Sequence, residues 1–278
     1  MLPQGFGEMA EKLRRSTVRV LSGKRGAEGS GSGVIWTAEG TVITNAHVAL
    51  GDAARVELWD GRTIETRVAA RDTRADLAML KLEVPGLAAA AKRDSTSLRP
   101  GELVVAVGNP LGFVGALTTG VVHAAGSVRG LGRRRWVQAA IRLAPGNSGG
   151  PLADAEGRVV GINTMVVAGG VALAIPSDDV ADFLKRGSSP ALGVVVRPVD
   201  IGLLVLEVVP KSPAENASLL IGDLLVAANG TRIESMDDLA DAIDRAAGAL
   251  LKIGFLRGDR RREREVSVRL AASRAEAA

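Results

Sequence analysis

The sequence predicts a mostly β protein: a double six-stranded β-barrel followed by a small α+β domain. Two observations carry this. Eleven brief β-type runs, separated by Gly and Asn turns and without long intervening helices, fill the stretch 17–175. A segment KRGSSP at 185–190 then has the composition of a linker, and a few strands around one clear helix occupy the rest. A chain of 278 residues exceeds one typical domain, so two compact units are expected, over residues 1–187 and 191–273.

A short helix candidate, GEMAEKLRRS, opens the chain. The β-type runs follow at 17–21, 33–36, 41–44, 54–59, 63–72, 78–82, 102–107, 117–124, 136–141, 159–164 and 170–175. About a dozen such strands suffice for two six-stranded barrels. Residues 176–184 read as a helix, with Ser177 as its N-cap. Asp178 and Asp179 fall in its first turn, where the helix dipole favours negative charge. In the second region strands are expected at 192–196 and 203–208, and LLVAA runs into the turn Asn229-Gly230. The segment SMDDLADAIDRAAG places Met236, Leu239, Ala240, Ile243 and Ala247 on one helical face. A hairpin at 250–256 and 265–270, with Gly258-Asp259 near its turn, ends the domain.

Hydrophobic content of 46% with 24% charge is ordinary for a globular chain. With 3 Trp, 4 Phe and no Tyr, the cores must be built from Val, Leu, Ile and Ala. Lys and Arg (35) exceed Asp and Glu (31) only slightly, and the basic residues are scattered. The dense runs at 133–135 and 260–262 read as surface loops or hairpin arms, so no nucleic-acid partner is expected. The absence of Cys excludes disulfides, thiolate metal sites and a Cys nucleophile. No apolar run reaches the ~20 residues of a membrane span. The opening residues lack the apolar segment of a secretory leader. The chain is therefore expected to be cytoplasmic if complete as written, or an envelope protein if a leader or anchor has been removed.

Three stretches carry chemistry. GSGVIWTAEGTVITNAHVA places His47 just after an apolar strand, TRADLAMLKL places Asp76 just before another, and LAPGNSGGPLAD places Ser148 in a Gly-rich turn. Acyl transfer by a serine needs a base for the hydroxyl proton and a carboxylate that fixes the base's tautomer. It also needs backbone N–H donors aimed at the developing oxyanion, and here Gly146 and Ser148 are the candidates. Asn147 is expected to shape the loop. Singly these signals are modest. Together, in the order His, Asp, Ser at the edges of β runs, they follow the order of chymotrypsin-type barrels. His123 has no comparable context.

TNAHV, DLAMLKL and GNSGGPL resemble the signature blocks of the HtrA/Deg (high-temperature-requirement) family of serine proteases, and VVGINTMV with ALAIPSDDV resembles that family's segment behind the nucleophile. The second region resembles a PDZ domain: ALGVVV is similar to its carboxylate-binding strand and SMDDLADAIDRA to its groove-lining helix. The resemblance runs from about Phe6 to about Leu270. It implies a chymotrypsin-like protease domain with Ser148 as nucleophile, His47 as general base and Asp76 as orienting carboxylate. It implies no metal or organic cofactor, unfolded or partly unfolded polypeptides as substrates, C-terminal peptides at the PDZ groove, and a homotrimer in the bacterial cell envelope. Phe6 matches an aromatic at the trimer centre of relatives, or else covers the barrel's edge. The rival reading is a catalytically silent scaffold that uses the PDZ groove.

Several positions depart from the family pattern. Arg142 falls where chymotrypsin-type enzymes place the floor of the primary pocket. Turned inward it favours acidic side chains; turned to solvent it leaves a pocket of Leu143, Val166, Val167 and Ala174 for small aliphatic ones. A buried unpaired guanidinium is costly, which favours the second. Ser127 stands where regulated relatives have Arg, with Arg129 nearby. In the PDZ region Ala191 replaces an aromatic, and the link RPVDIG is brief. The N–H groups of Leu192, Gly193 and Val194 are expected to hold a terminal carboxylate by strand addition, unless the groove is degenerate.

Overall fold

The computed structural model describes residues 6–24, 27–109, 115–128, 131–167, 169–187, 190–246 and 248–270. They form two units, one drawn almost entirely from residues up to Gly187 and the other mainly from those after it.

The first unit opens with helix α1 (Phe6–Arg15). Strands β1 (Thr17–Lys24), β2 (Ala27–Ile35), β3 (Thr41–Thr44), β4 (Ala53–Glu57), β5 (Thr63–Asp72) and β6 (Leu77–Lys81) follow. They close into an antiparallel barrel in the order β1-β2-β3-β6-β5-β4. Strands β7 (Leu103–Gly108), β8 (Ala116–Ser127), β9 (Arg135–Ile141), β10 (Pro151–Asp154), β11 (Val159–Val166) and β12 (Ala172–Pro176) form a second closed barrel, in the order β10-β11-β12-β9-β8-β7. Helix α2 (Ser177–Arg186) ends the unit. These are the two six-stranded barrels the sequence predicts.

Strand β7 shows why two barrels pack as one unit. Val104 and Ala106 fill the second barrel's interior, whereas Val105 and Val107, on the opposite face, join a core shared between the barrels. Alternation here separates two apolar faces, so the strand reads as a continuous hydrophobic run. The aromatic shortage is also resolved in space. Both barrel interiors are aliphatic, and Trp36, Trp136 and Phe183 all lie in the shared core.

The structure corrects three details in this unit. Strand β10 has no counterpart among the predicted runs, because PLAD opens on Pro and contains no β-branched residue. Proline is accepted at the first position of a strand, and tertiary pairing with β7 and β11 supplies the rest. Ser177 is not the N-cap of α2. The chain enters the helix directly from β12, with Pro176 as cap, and the Ser177 hydroxyl donates to the Arg93 carbonyl at 2.6 Å. Arg134 is not a solvated loop residue: its side chain is 19% exposed, its guanidinium lies 4.6 Å over the Trp136 ring and its Nε is 3.7 Å from Asp179.

The second unit holds strands β13 (Val194–Val199) and β14 (Gly202–Val208), helix α3 (Pro213–Asn216), and strands β15 (Leu224–Ala228) and β16 (Thr231–Arg232). Helix α4 (Met236–Arg245) and strands β17 (Leu250–Arg257) and β18 (Asp259–Arg269) complete it. The sheet order is β13-β14-β15-β17-β18, with β16 on β15. Helix α4 starts at a capping box, Ser235 accepting from the Asp238 N–H while the Asp238 carboxylate accepts from the Ser235 N–H. Its buried residues are Leu239 and Ala242, continued by Ala246 just past its end, with Ile243 packed alongside. Met236, expected on the same face, is exposed at the first position of the helix. The link between β13 and β14 is two residues long, because Arg197, Pro198 and Val199 pair within the sheet. The side chain of Phe6, the residues Arg129 and Ala247, and Ser188-Ser189 of the linker lie outside the described residues.

Candidate active site

His47 sits in a tight turn just after β3, where the Asn45 carbonyl accepts the N–H groups of Val48 and Ala49 at 3.1 Å. The turn lifts the imidazole, 49% exposed, over the seam of the barrels. Asp76 closes the turn between β5 and β6. Its φ of 53° is left-handed, a conformation Asp tolerates better than most residues, and three contacts hold that turn. Asp72 accepts the Ala75 N–H at 2.8 Å, Asn45 Nδ2 donates to the Asp76 carbonyl at 2.9 Å, and Arg134 Nη1 donates to the Arg74 carbonyl at 3.4 Å.

The Asp76 carboxylate, 19% exposed, accepts from His47 Nδ1 at 2.9 and 3.0 Å and from the His47 backbone N–H at 3.1 Å. The Thr164 hydroxyl donates to it at 2.5 Å. An ionised carboxylate only accepts, so Nδ1 carries the proton and Nε2 keeps its lone pair. Burial pushes the Asp76 carboxyl up, but the hydrogen bonds from His47 and Thr164 and the attraction of His47 outweigh it and hold the group below its ordinary value. The hydrogen bond to Asp76 raises His47, desolvation opposes, and the charge of Asp76 adds to the rise.

Ser148 lies between β9 and β10 in a loop that only glycine can complete. Gly149 has φ of 83°, and a Cβ there would stand 2.1 Å from the Ser32 carbonyl oxygen. Asn147 shapes the loop as expected: buried, it returns both its backbone N–H and its Nδ2 to the Ala144 carbonyl, at 3.0 and 3.1 Å. The N–H groups of Gly149 and Gly150 are likewise bonded, to Asn163 and Asn147 carbonyls. Among the described residues, the N–H groups of Gly146 and Ser148 are the two in this turn that no protein acceptor takes.

The Ser148 hydroxyl donates to the Thr164 carbonyl at 3.0 Å, and among the described residues no hydrogen bond joins it to His47. Thr164 thus touches both halves of the site, through its hydroxyl on Asp76 and its carbonyl on Ser148. Sequence reasoning assigns it no role. The cause is a β-bulge: Asn163 faces Ala174 and Met165 faces Leu173, leaving Thr164 between them without a partner in β12. Bulges re-aim side chains. The only available signal was the polar Thr at the end of VVGINT, beside the motif of the nucleophile.

Of the expected pocket, Ala174 is buried, Leu143 and Val167 are partly buried and Val166 is 49% exposed. Arg142 is exposed. In the second unit β13 is the edge strand. Leu192 and Gly193 precede it rather than belong to it. Their carbonyls accept from Ala214 and Val209 at 2.9 Å, while no described acceptor takes the N–H of either. Gly193 has φ of 82°, and a Cβ there would stand 2.2 Å from that of Ser212.

Family comparison agrees with both units. The trypsin-like peptidase domain matches residues 31–162 and the PDZ domain residues 190–268. HhoA of Synechocystis sp., which carries a serine protease name, is 35% identical over 275 residues, covering 86% of this chain and 70% of that protein. The chain belongs to the HtrA/Deg family of serine proteases. Other HtrA/Deg relatives include serine protease HTRA1B of Danio rerio, 32% identical over 90% of this chain. A DegP-like protein of Pseudomonas putida with a periplasmic serine endoprotease name is 34% identical over 96% of it. The chain spans 62% of the length of each of these two. The solved structure of the HtrA-type protease AlgW with tripeptide superposes with a TM-score of 0.65 at 26% identity, covering 96% of this chain and 97% of that one.

Proposed function

We propose that this HtrA/Deg chain is an ATP-independent serine endopeptidase acting on unfolded or partly unfolded polypeptides, in protein quality control or regulated proteolysis. The observation that carries the reading is the His47–Asp76 pair of the first barrel, set opposite a Ser148 turn with two uncommitted N–H groups in the second. Ser148 turns from the Thr164 carbonyl to His47 Nε2 and attacks the peptide carbonyl as the imidazole takes its proton. The oxyanion is received by the Gly146 and Ser148 N–H groups. The amine leaves with the proton returned by His47, and water then repeats the attack on the acyl ester. Leu143, Val166, Val167 and Ala174 line the primary pocket, and the exposed Arg142 supports a preference for small aliphatic side chains.

The same proposal assigns the protease domain to 1–187 and a PDZ domain to 191–273, whose Leu192, Gly193 and Val194 N–H groups receive a peptide's C-terminal carboxylate as the peptide adds to β13. The assembly is a homotrimer. The periplasmic name of the Pseudomonas relative supports an envelope location. The deciding experiment is S148A on casein. Loss of the nucleophile from such a triad costs on the order of a million-fold in kcat. The variant is therefore expected at background, and cleavage at the wild-type rate would refute the assignment.

A further inference from the structure

Ser32, in β2 of the first barrel, is completely buried against the Ser148 turn of the second. Its backbone N–H donates to the Ser148 carbonyl at 2.8 Å and its hydroxyl donates to the Gly146 carbonyl at 2.7 Å. The hydroxyl oxygen accepts from the Asn109 N–H at 2.9 Å and from Asn109 Nδ2 at 3.3 Å. A serine hydroxyl has one proton to give and two lone pairs to receive. All three are in use. The Ser32 carbonyl accepts the Thr44 hydroxyl at 2.7 Å, so the residue is held on both sides.

These bonds fix peptide planes. Each plane carries its C=O and the next N–H in opposite directions. With the Gly146 carbonyl on Ser32, the following N–H, that of Asn147, runs to the Ala144 carbonyl. With the Ser148 carbonyl on Ser32, the following N–H, that of Gly149, runs to the Asn163 carbonyl. The plane between them is set by the Asn147 carbonyl, which accepts the Gly150 N–H at 3.0 Å and so turns the Ser148 N–H the other way. Two carbonyls that would otherwise be free to swing toward the reacting centre are thereby held away from it.

We propose that Ser32 is a positioning residue for the reaction, the strut through which the first barrel fixes the two peptide planes flanking the Ser148 N–H and keeps their carbonyls away from the place of an oxyanion. This rests on the endopeptidase reading. The test is S32A, which keeps the backbone bond to Ser148 and removes the hold on Gly146 together with the acceptor of the Asn109 N–H and Nδ2. Its kcat on unfolded casein is expected to fall about ten- to a hundredfold, less than the ~10²–10³ lost with an oxyanion donor itself. KM should stay within about twofold, and fluorophosphonate labelling of Ser148 should slow in parallel. N109A removes the neighbouring side chain but leaves the Ser32–Gly146 bond, so it should lower urea stability while kcat stays within about threefold. A folded S32A with wild-type kcat, or an N109A that loses as much kcat as S32A, overturns the proposal. Should S32A not fold, S32C keeps the shape with a weaker donor, and an undiminished kcat there overturns it equally. Wild-type protein that neither cleaves casein nor labels would instead sink the endopeptidase reading.

Discussion

The hydrogen bond between His47 and Asp76 determines how this site answers to pH. Because that bond favours the imidazolium, His47 titrates above the ordinary imidazole value of about 6.5. In the proposed mechanism only the neutral ring accepts the Ser148 proton, so activity is expected above the raised pKa and is lost as pH falls through it. A profile of kcat/KM on casein should show an acid limb with an apparent pKa above about 6.5. A flat profile down to pH ~5.5 would contradict this pairing. Thr164 makes a second prediction. In T164V the Asp76 carboxylate loses its hydroxyl donor and binds the His47 proton more tightly. Hydrogen bonds to charged groups contribute about 1.5–3 kcal/mol, so kcat/KM should fall at least about tenfold, with the acid limb moving upward. Of the proposed site, His47, Asp76, Ser148 and Gly146 were candidates from the sequence because each stands in a short local motif. Thr164 and Ser32 were not. The role of the first depends on a bulge, and that of the second on a bond to Gly146, 114 positions away.

Strands and helices were legible where the hydrophobic period was strong and missed where packing replaced it. Strands β3 and β5 fall at 41–44 and 63–72 as predicted, with their apolar residues on turn-bounded runs. Strand β10 exists because β7 and β11 pair with it, which local propensity does not encode. On α4 the expected Leu239 is buried, but burial then falls on Ala242 and Ala246 rather than on Met236 and Ala240, which periodicity alone does not tell apart. The barrels themselves have little tolerance for lost volume. Leu80 of β6 is fully buried in the first barrel's interior, and L80A should cost about 2–5 kcal/mol in urea unfolding. A loss below about 1 kcal/mol would mean that the interior collapses around the gap.

At the scale of the whole chain, the core of the second unit, among the described residues, draws only on positions from Leu192 to Leu270. A fragment of residues 188–274 should therefore unfold cooperatively on its own in calorimetry and bind a peptide with a free apolar C-terminus. G193V should abolish that binding, since a side chain at the left-handed Gly193 meets Ser212. Equal affinity in the variant would remove the carboxylate-binding role from this turn.

In the proposed mechanism the base and the nucleophilic hydroxyl reside in different barrels, His47 in the first and Ser148 in the second. During synthesis the first barrel leaves the ribosome with His47 and Asp76 but without the serine. No cutting centre exists until the second barrel has closed around its own strands. If the proposed endopeptidase function holds, a newly made molecule is thus harmless to its own unfinished half, and it gains the power to cut an unfolded chain only once it has ceased to be one.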